Sequence, residues 1–378
     1  MKVISFYLPQ FHPIPENDAW WGKGFTEWTN VAKARPLFAG HHQPHIPADL
    51  GFYDLRLEET RIAQAELARE HGISGFCYYH YWFNGKMLLE KPFNEVLASG
   101  KPDFPFCLCW ANENWTRRWD GLDQEVLADH RYSDYDPFQH ADWLVNAFLD
   151  QRYIRINGRP LFLVYRADHI PDLVNVVRAW RKKATDKGLP ALYLCAVKNN
   201  QYALGDADTI KAGFDAIVEF QPNPKDLQGT ATNLKLVTML RWLNCIIDKF
   251  KLGNLLEKKT DYVLYDYSKI VEKAIQRPIP VHKTFPCIFP NWDNTSRRQF
   301  GITVIQNNDS SLYAKWLADS LRRVSGYEAE EKIVFINAWN EWAEGCHLEP
   351  DIQSGRRFLE ATRDTLNKFH AIKPDFNV

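Results

Sequence analysis

Short apolar or β-rich runs recur along the whole chain, at 3–9, 73–82, 104–112, 160–166, 192–198, 215–222, 285–292 and 333–340. Their hydrophobicity is continuous rather than alternating. That pattern predicts strands buried on both faces, as in a parallel sheet covered by helices. Helical periodicity fills most of the gaps. It runs through "YDLRLEETRIAQAELAREHG", stopped by Gly72, through "DPFQHADWLVNAFLD", and through "IPDLVNVVRAWRKKATDKG", stopped by Gly188. "SSLYAKWLADSLRRV" offers Ser310 as an N-cap and "SGRRFLEATRDTLNKF" offers Ser354. Eight parallel strands alternating with helices predict a (β/α)8 TIM barrel. A doubly wound open sheet is the competing arrangement, but no Gly-rich dinucleotide loop follows the first strand.

Two segments exceed a minimal barrel. Residues 13–52 make a long first βα loop, rich in aromatics and so expected to fold over the rim. Residues 223–284 form an insertion between strands six and seven. Within it Leu236, Leu240, Leu243, Ile247 and Phe250 share one helical face, with Lys235, Arg241, Lys249 and Lys251 around the rest. A barrel helix with an insertion is the plainer reading, and a basic surface for peripheral membrane association the sharper one. With neither tandem repeats nor a low-complexity linker, one catalytic domain over 1–378 is expected.

Composition narrows the partners. Basic and acidic side chains nearly cancel, 46 against 47, which gives no electrostatic reason to expect nucleic acid. The chain carries 14 Trp, 16 Tyr and 23 Phe, flat faces with polar edges that suit sugars as well as a core. None of the seven Cys forms a C-x-x-C pair, and Cys107 and Cys109 would share one side of a strand as buried thiols. The N-terminal run is broken by Pro9 and lacks a signal-peptide cleavage site. No stretch reaches the roughly 18 uncharged residues of a membrane span. A cytoplasmic location is expected.

Barrel enzymes place their chemistry at the C-terminal ends of the strands, and here those ends are polar and aromatic together. The candidate sugar-contacting residues are Tyr7, Gln10, His12 and Trp28, then His80 and Tyr81. The third strand leads into "WANENWTRRWD", with Trp110, Asn112, Glu113, Trp115, Arg117 and Asp120. Glu219 lies near the end of strand six, Trp292 and Asp293 stand where strand seven ends, and Trp339, Asn340, Trp342 and Glu349 surround the end of strand eight. That last segment, "FINAWNEWAEG", sets Glu341 and Glu344 three residues apart among tryptophans. Making or breaking a glycosidic bond usually takes two carboxyl groups, one protonated and one not. An apolar wall would raise one pKa while a hydrogen-bonded neighbour stays ionised. Helix-start carboxylates are the plainer alternative.

Other constellations are weaker. "HHQPH" (His41, His42, His45) lacks a nearby carboxylate to complete a metal set, so loop-packing histidines are expected, with no metal and no cofactor. "DYD" (134–136) and "DAD" (206–208) match the D-x-D of sugar-nucleotide transferases only by spelling. Arg117 and Arg118 suit either an anionic ligand or an ion pair with Asp120.

Long motifs sharpen this picture: "FYLPQFHPIPEND", "WWGKGFTEWTNV", "HHQPHIPADLGFYDLR", "GFCYYHYWFNGK", "FPFCLCWANENWTRRWDG", "NWDNTSRR" and "FINAWNEWAEGCHLEPD". Together they resemble the WbsX-type family, glycosyltransferases of lipopolysaccharide O-antigen and other bacterial polysaccharide assembly. The carboxylate segment is also similar to the endo-α-mannosidase family of glycoside hydrolases, (β/α)8 barrels whose E-W-x-E motif matches Glu341-Trp342-Ala343-Glu344. That resemblance implies roles. Glu341 would act as base on the sugar's 2-hydroxyl to form a 1,2-anhydro intermediate, and Glu344 as acid on the leaving oxygen and then base on the acceptor. The outcome would be retention without a glycosyl-enzyme ester. Three readings stand: a retaining hydrolase or transglycosylase on a bacterial polysaccharide, a nucleotide-sugar-dependent transferase, or a non-catalytic carbohydrate-binding barrel.

Overall fold

The computed structural model describes residues 1–117, 122–199, 201–250 and 260–371, less the side chains of 117, 122–125 and 248. Eight parallel strands close a barrel: β1 (Lys2–Tyr7), β2 (Gly75–Phe83), β3 (Phe106–Trp110), β4 (Arg159–Val164), β5 (Tyr193–Lys198), β6 (Ala216–Glu219), β7 (Thr284–Ile288) and β8 (Ile333–Ile336). Each coincides with an expected run, and β1, β2, β4 and β7 extend one residue beyond it. Closure comes from β1, which pairs with β8 through Lys2↔Ile333 and with β2 through Ile4↔Gly75. Gly75 is required there, because a Cβ would stand 2.7 Å from the Pro105 carbonyl oxygen and 2.8 Å from Ile154 Cδ1.

The outer layer is α1 (Glu58–Glu70), α2 (Lys91–Ser99), α3 (Pro137–Phe148), α4 (Leu173–Asp186), α5 (Asp206–Lys211), α6 (Tyr267–Gln276), α7 (Ser310–Arg323) and α8 (Arg357–Ala371). Three starts differ from the sequence pattern. Residues 53–57 precede α1 without being helical. Asp309 rather than Ser310 caps α7, its side chain accepting from the Ser311 N–H. Ser354 lies ahead of α8 and donates its N–H to Asp351 instead. At α7 a side-chain acceptor sets the boundary, whereas α1 starts after Leu57 without a side-chain cap.

The first βα loop folds over the rim with two short helices, Pro15–Trp21 and Glu27–Lys33. The insertion holds the amphipathic helix Leu234–Lys249 and a strand, Tyr262–Asp266, that pairs in parallel with Ile302–Gln306. Of the expected apolar face, Phe250 is instead exposed. Lys251 lies outside the described residues. No helix among the described residues is long and apolar enough to cross a membrane. Six cysteines, Cys107 and Cys109 among them, are buried thiols, and Cys245 is exposed.

Candidate active site

After β8 the chain makes a minute hairpin: Asn340 and Glu341 pair antiparallel with His347 and Cys346. Its turn, Trp342–Glu344, is a single 3-10 turn closed by Gly345 at φ +58°. The helix-start alternative is thereby excluded for this pair. A Cβ on Gly345 would lie within 3.1 Å of the Asp293 backbone and Cβ, so the turn packs directly on the loop after β7. The Asp293 N–H donates to the Glu344 carbonyl oxygen at 2.6 Å, joining the two loops.

That contact brings the next residues of the β7 loop to the glutamates. Arg297 Nη2 donates to Glu341 Oε2 at 3.0 Å, and Nη1 pairs with Glu344 Oε1 at 2.8 Å. On its other side Nε donates to Glu27 Oε1 at 2.7 Å. One guanidinium thus spans three carboxyl groups. Glu341 is the deeper of the pair, 8 % exposed against 24 % for Glu344. Burial pushes the Glu341 carboxyl up to about 8; Arg297 opposes the shift, and the Glu344 and Glu27 charges add to it. Burial raises Glu27 as well, against the pull of Arg297.

The carboxyl pair opens into a cleft of about 530 Å³ at the C-terminal rim of the barrel. Of the expected sugar-contacting residues, Gln10, Tyr81, Glu113, Trp115 and Trp292 line it. Sequence reasoning did not assign Arg297, nor the lining residues Asn17, Trp21, Tyr79, Tyr165 and Phe220. Asn17 and Gln10 are informative. Both are buried, yet Gln10 Nε2 and both polar atoms of the Asn17 amide have no hydrogen-bond partner among the described residues. Buried amides left open along a cleft wall are groups a hydroxylated ligand would satisfy.

The remaining candidates stand behind that wall. The Tyr7 hydroxyl donates to Gln64 Oε1, and His12 Nδ1 meets the Pro9 carbonyl oxygen. Burial depresses His12 to about 4 and His80 to about 3, so both stay neutral. His80 stacks on Trp143, and Trp110 donates to the Trp82 carbonyl oxygen. Asn112 holds the backbone of Arg166 through its amide oxygen and nitrogen alike. Glu219 pairs with Arg277 at 3.7 Å, outside the cleft. Arg117's side chain and Asp120 lie outside the described residues.

Several of these residues hold the glutamate hairpin. Asn340 grips both backbone groups of Leu8 just past β1, and Trp339 packs on Phe76 in the core. Trp342 donates to Glu349 Oε2 at 2.6 Å, while Gln64 and Tyr53 donate to the same carboxyl group. Glu349 is wholly buried, which lifts it to about 7. Trp28 packs on Trp342, linking the first loop to the hairpin. Asp293 accepts from His41 Nε2 and Gln43 Nε2, each at 2.7 Å. His45, on the same loop, meets His347 at 3.0 Å. The carboxylate absent from the vicinity of "HHQPH" in sequence is brought there by the fold, since Asp351 Oδ2 is 3.8 Å from His347 Nε2. Neither D-x-D spelling lines the cleft.

The architecture is shared with solved glycoside hydrolases. The GH99 endo-α-mannosidase from Bacteroides thetaiotaomicron superposes with a TM-score of 0.54 at 13% identity, covering 98% of this chain and 97% of that one. A glycoside hydrolase-like protein gives 0.57 at 14% identity, covering 96% and 93%. At such identities the likeness concerns the fold. Sequence relatives are nearer: two proteins named uncharacterized protein WxcX, from Xanthomonas campestris pv. campestris strains B100 and ATCC 33913, are 40% and 41% identical over 97% of this chain. The chain spans about half the length of these relatives. The sequence profile described as "Glycosyltransferase WbsX" matches residues 3–362, and the chain therefore belongs to the WbsX glycosyltransferase family of carbohydrate-active enzymes.

Proposed function

We propose that this chain makes or breaks glycosidic bonds in an oligo- or polysaccharide with retention of configuration, using Glu341 and Glu344 as its two carboxyl groups. The observation that carries this reading is their meeting at one guanidinium, at the edge of an aromatic cleft with unpartnered amides. Glu341 removes the proton of the sugar's 2-hydroxyl, whose oxygen displaces the leaving group at the anomeric carbon. Glu344 gives its proton to the departing oxygen. An acceptor, water or a sugar hydroxyl, then opens the 1,2-anhydro ring, losing its proton to Glu344 while O2 regains one from Glu341. The pair therefore works with one proton and one negative charge. Burial favours the protonated form of Glu341, and the Arg297 guanidinium opposes it by favouring the ionised base.

A nucleotide-sugar donor is the second reading, prompted by the family's name. The two are separated by thermal shift on Glu344→Gln, which binds without turning over. Mannose- or rhamnose-containing oligosaccharides should raise Tm. A rise with nucleotide sugars alone would overturn the hydrolase-like reading. Retention is then checked on the wild type by the anomeric NMR signals of the first product formed.

A further inference from the structure

The first βα loop and the segment after the glutamate hairpin are laced together on the face of the hairpin away from the cleft. The Ala48 N–H donates to the Pro350 carbonyl oxygen, the Ile352 N–H donates to that of Ile46, and Pro47 bridges to Asp351. Between these rungs lies a pocket of about 240 Å³ lined by His41, His42, His45, His347 and Asp351. His45, His347 and Asp351 are all buried, and their donor atoms lie within 4.8 Å of one another.

From this arrangement we propose that His45 Nδ1, His347 Nε2 and Asp351 Oδ2 form a structural site for a divalent cation of the zinc class. The separations suit one ion. Tetrahedral ligands about 2.1 Å from zinc stand roughly 3.4 Å apart, and the His45–His347 and His347–Asp351 separations bracket that value at 3.0 and 3.8 Å. The surrounding bonds orient the donors outward. His347 Nδ1 lies 2.8 Å from the Glu349 carbonyl oxygen, which only accepts, so Nδ1 carries the hydrogen and Nε2 presents its lone pair to the pocket. Asp351 Oδ1 accepts from the Ser354 N–H, which leaves Oδ2 toward His347. Carbonyl and amide partners of this sort are what hold histidine and carboxylate ligands around metals. His42 stands 5.4 Å from His45, ring to ring, and its buried Nε2 has no partner among the described residues.

Two imidazoles and one carboxylate favour zinc or a neighbouring first-row ion over calcium or magnesium, which prefer all-oxygen sets. The ion's role is mechanical. The His347 ring stacks on Trp342 at 3.8 Å, inside the glutamate turn, so a cation joining His45 to His347 pins the first loop to that turn.

The test uses the chain purified without a histidine tag or metal-affinity step. Metal content is read by mass spectrometry, and after dialysis against EDTA the protein is titrated calorimetrically with ZnCl2. One zinc per chain is expected, with Tm raised by about 3 °C at hundredfold excess over Kd. Co²⁺ should give the visible absorption of a tetrahedral centre. His45→Gln and Asp351→Asn, one ligand from each segment, should each abolish stoichiometric binding. Wild-type protein that binds no stoichiometric metal and shows no Tm response overturns the proposal, His45 and His347 then sharing a proton instead. Retention of one zinc per chain by either variant overturns it equally.

Discussion

Placed among Glu27, Glu341 and Glu344, the Arg297 guanidinium decides how many protons the cleft holds. Without it, three carboxyl groups would share a buried site with no compensating charge, and each would protonate more readily. With it, burial still carries the Glu341 carboxyl up to about 8. The proposed base must shed that proton before it can take the one on the sugar's 2-hydroxyl. The profile of kcat/KM against pH should therefore climb through about 8, as Glu341 ionises. Arg297→Met removes the charge that favours ionisation of Glu341, so its residual activity should rise on a limb displaced to higher pH. A wild-type rate that is instead flat between about pH 6 and pH 9 would contradict the base role of Glu341. Arg297 carries no local mark in the sequence. It is one of two adjacent arginines in an aperiodic loop, and its partner Glu27 is 270 positions away. Only the glutamates advertise themselves, through tight spacing beside a strand end.

At the scale of elements, the glutamate hairpin depends on three neighbours: β1 through Asn340 and Leu8, the β7 loop through Asp293, and the helix Glu27–Lys33 through Trp28 and Trp342. Many residues expected to touch sugar belong to this scaffold. Strand-end position and side-chain chemistry were legible for Asp293, Asn340, Trp342 and Glu349; direction was not. Direction depends on which loop packs on which, and that is set by contacts remote in sequence, such as Glu349 with Gln64. Gly345 gives a test of the scaffold. Its φ of +58° is disfavoured for other residues, and a Cβ would press on Asp293 at 2.9–3.1 Å. Gly345→Ala should cost about 1–3 kcal/mol in thermal or urea unfolding. It should also lower kcat more than it raises KM, because the shifted turn carries Glu344 away from Arg297. An unchanged kcat would mean that the turn tolerates the displacement and that Asp293 does not set the position of Glu344.

For the whole molecule, the barrel was readable because its eight strands are buried on both faces, and such runs stand out against amphipathic helices. The insertion strand Tyr262–Asp266 escaped notice, since it pairs outside the barrel and only part of it is buried. The cleft was legible in kind but not in membership. Its walls come from the first βα excursion, from the end of β2 and from the loops after β3 to β8, which the barrel gathers at one end. This construction separates binding from stability. Trp115 lies in the loop after β3, edge-on to Tyr81 and Trp20, at the cleft wall and outside the barrel core. A sugar face stacked there gains the same contact before and at the transition state. Its loss should therefore appear in KM and leave kcat alone. Trp115→Ala should raise KM for an oligosaccharide about tenfold, equivalent to about 1.4 kcal/mol. Its kcat should stay within about twofold, with Tm nearly unchanged. A fall in kcat at constant KM would place Trp115 against the reacting ring rather than on a flanking sugar, and would move the scissile bond toward the β3 side of the cleft.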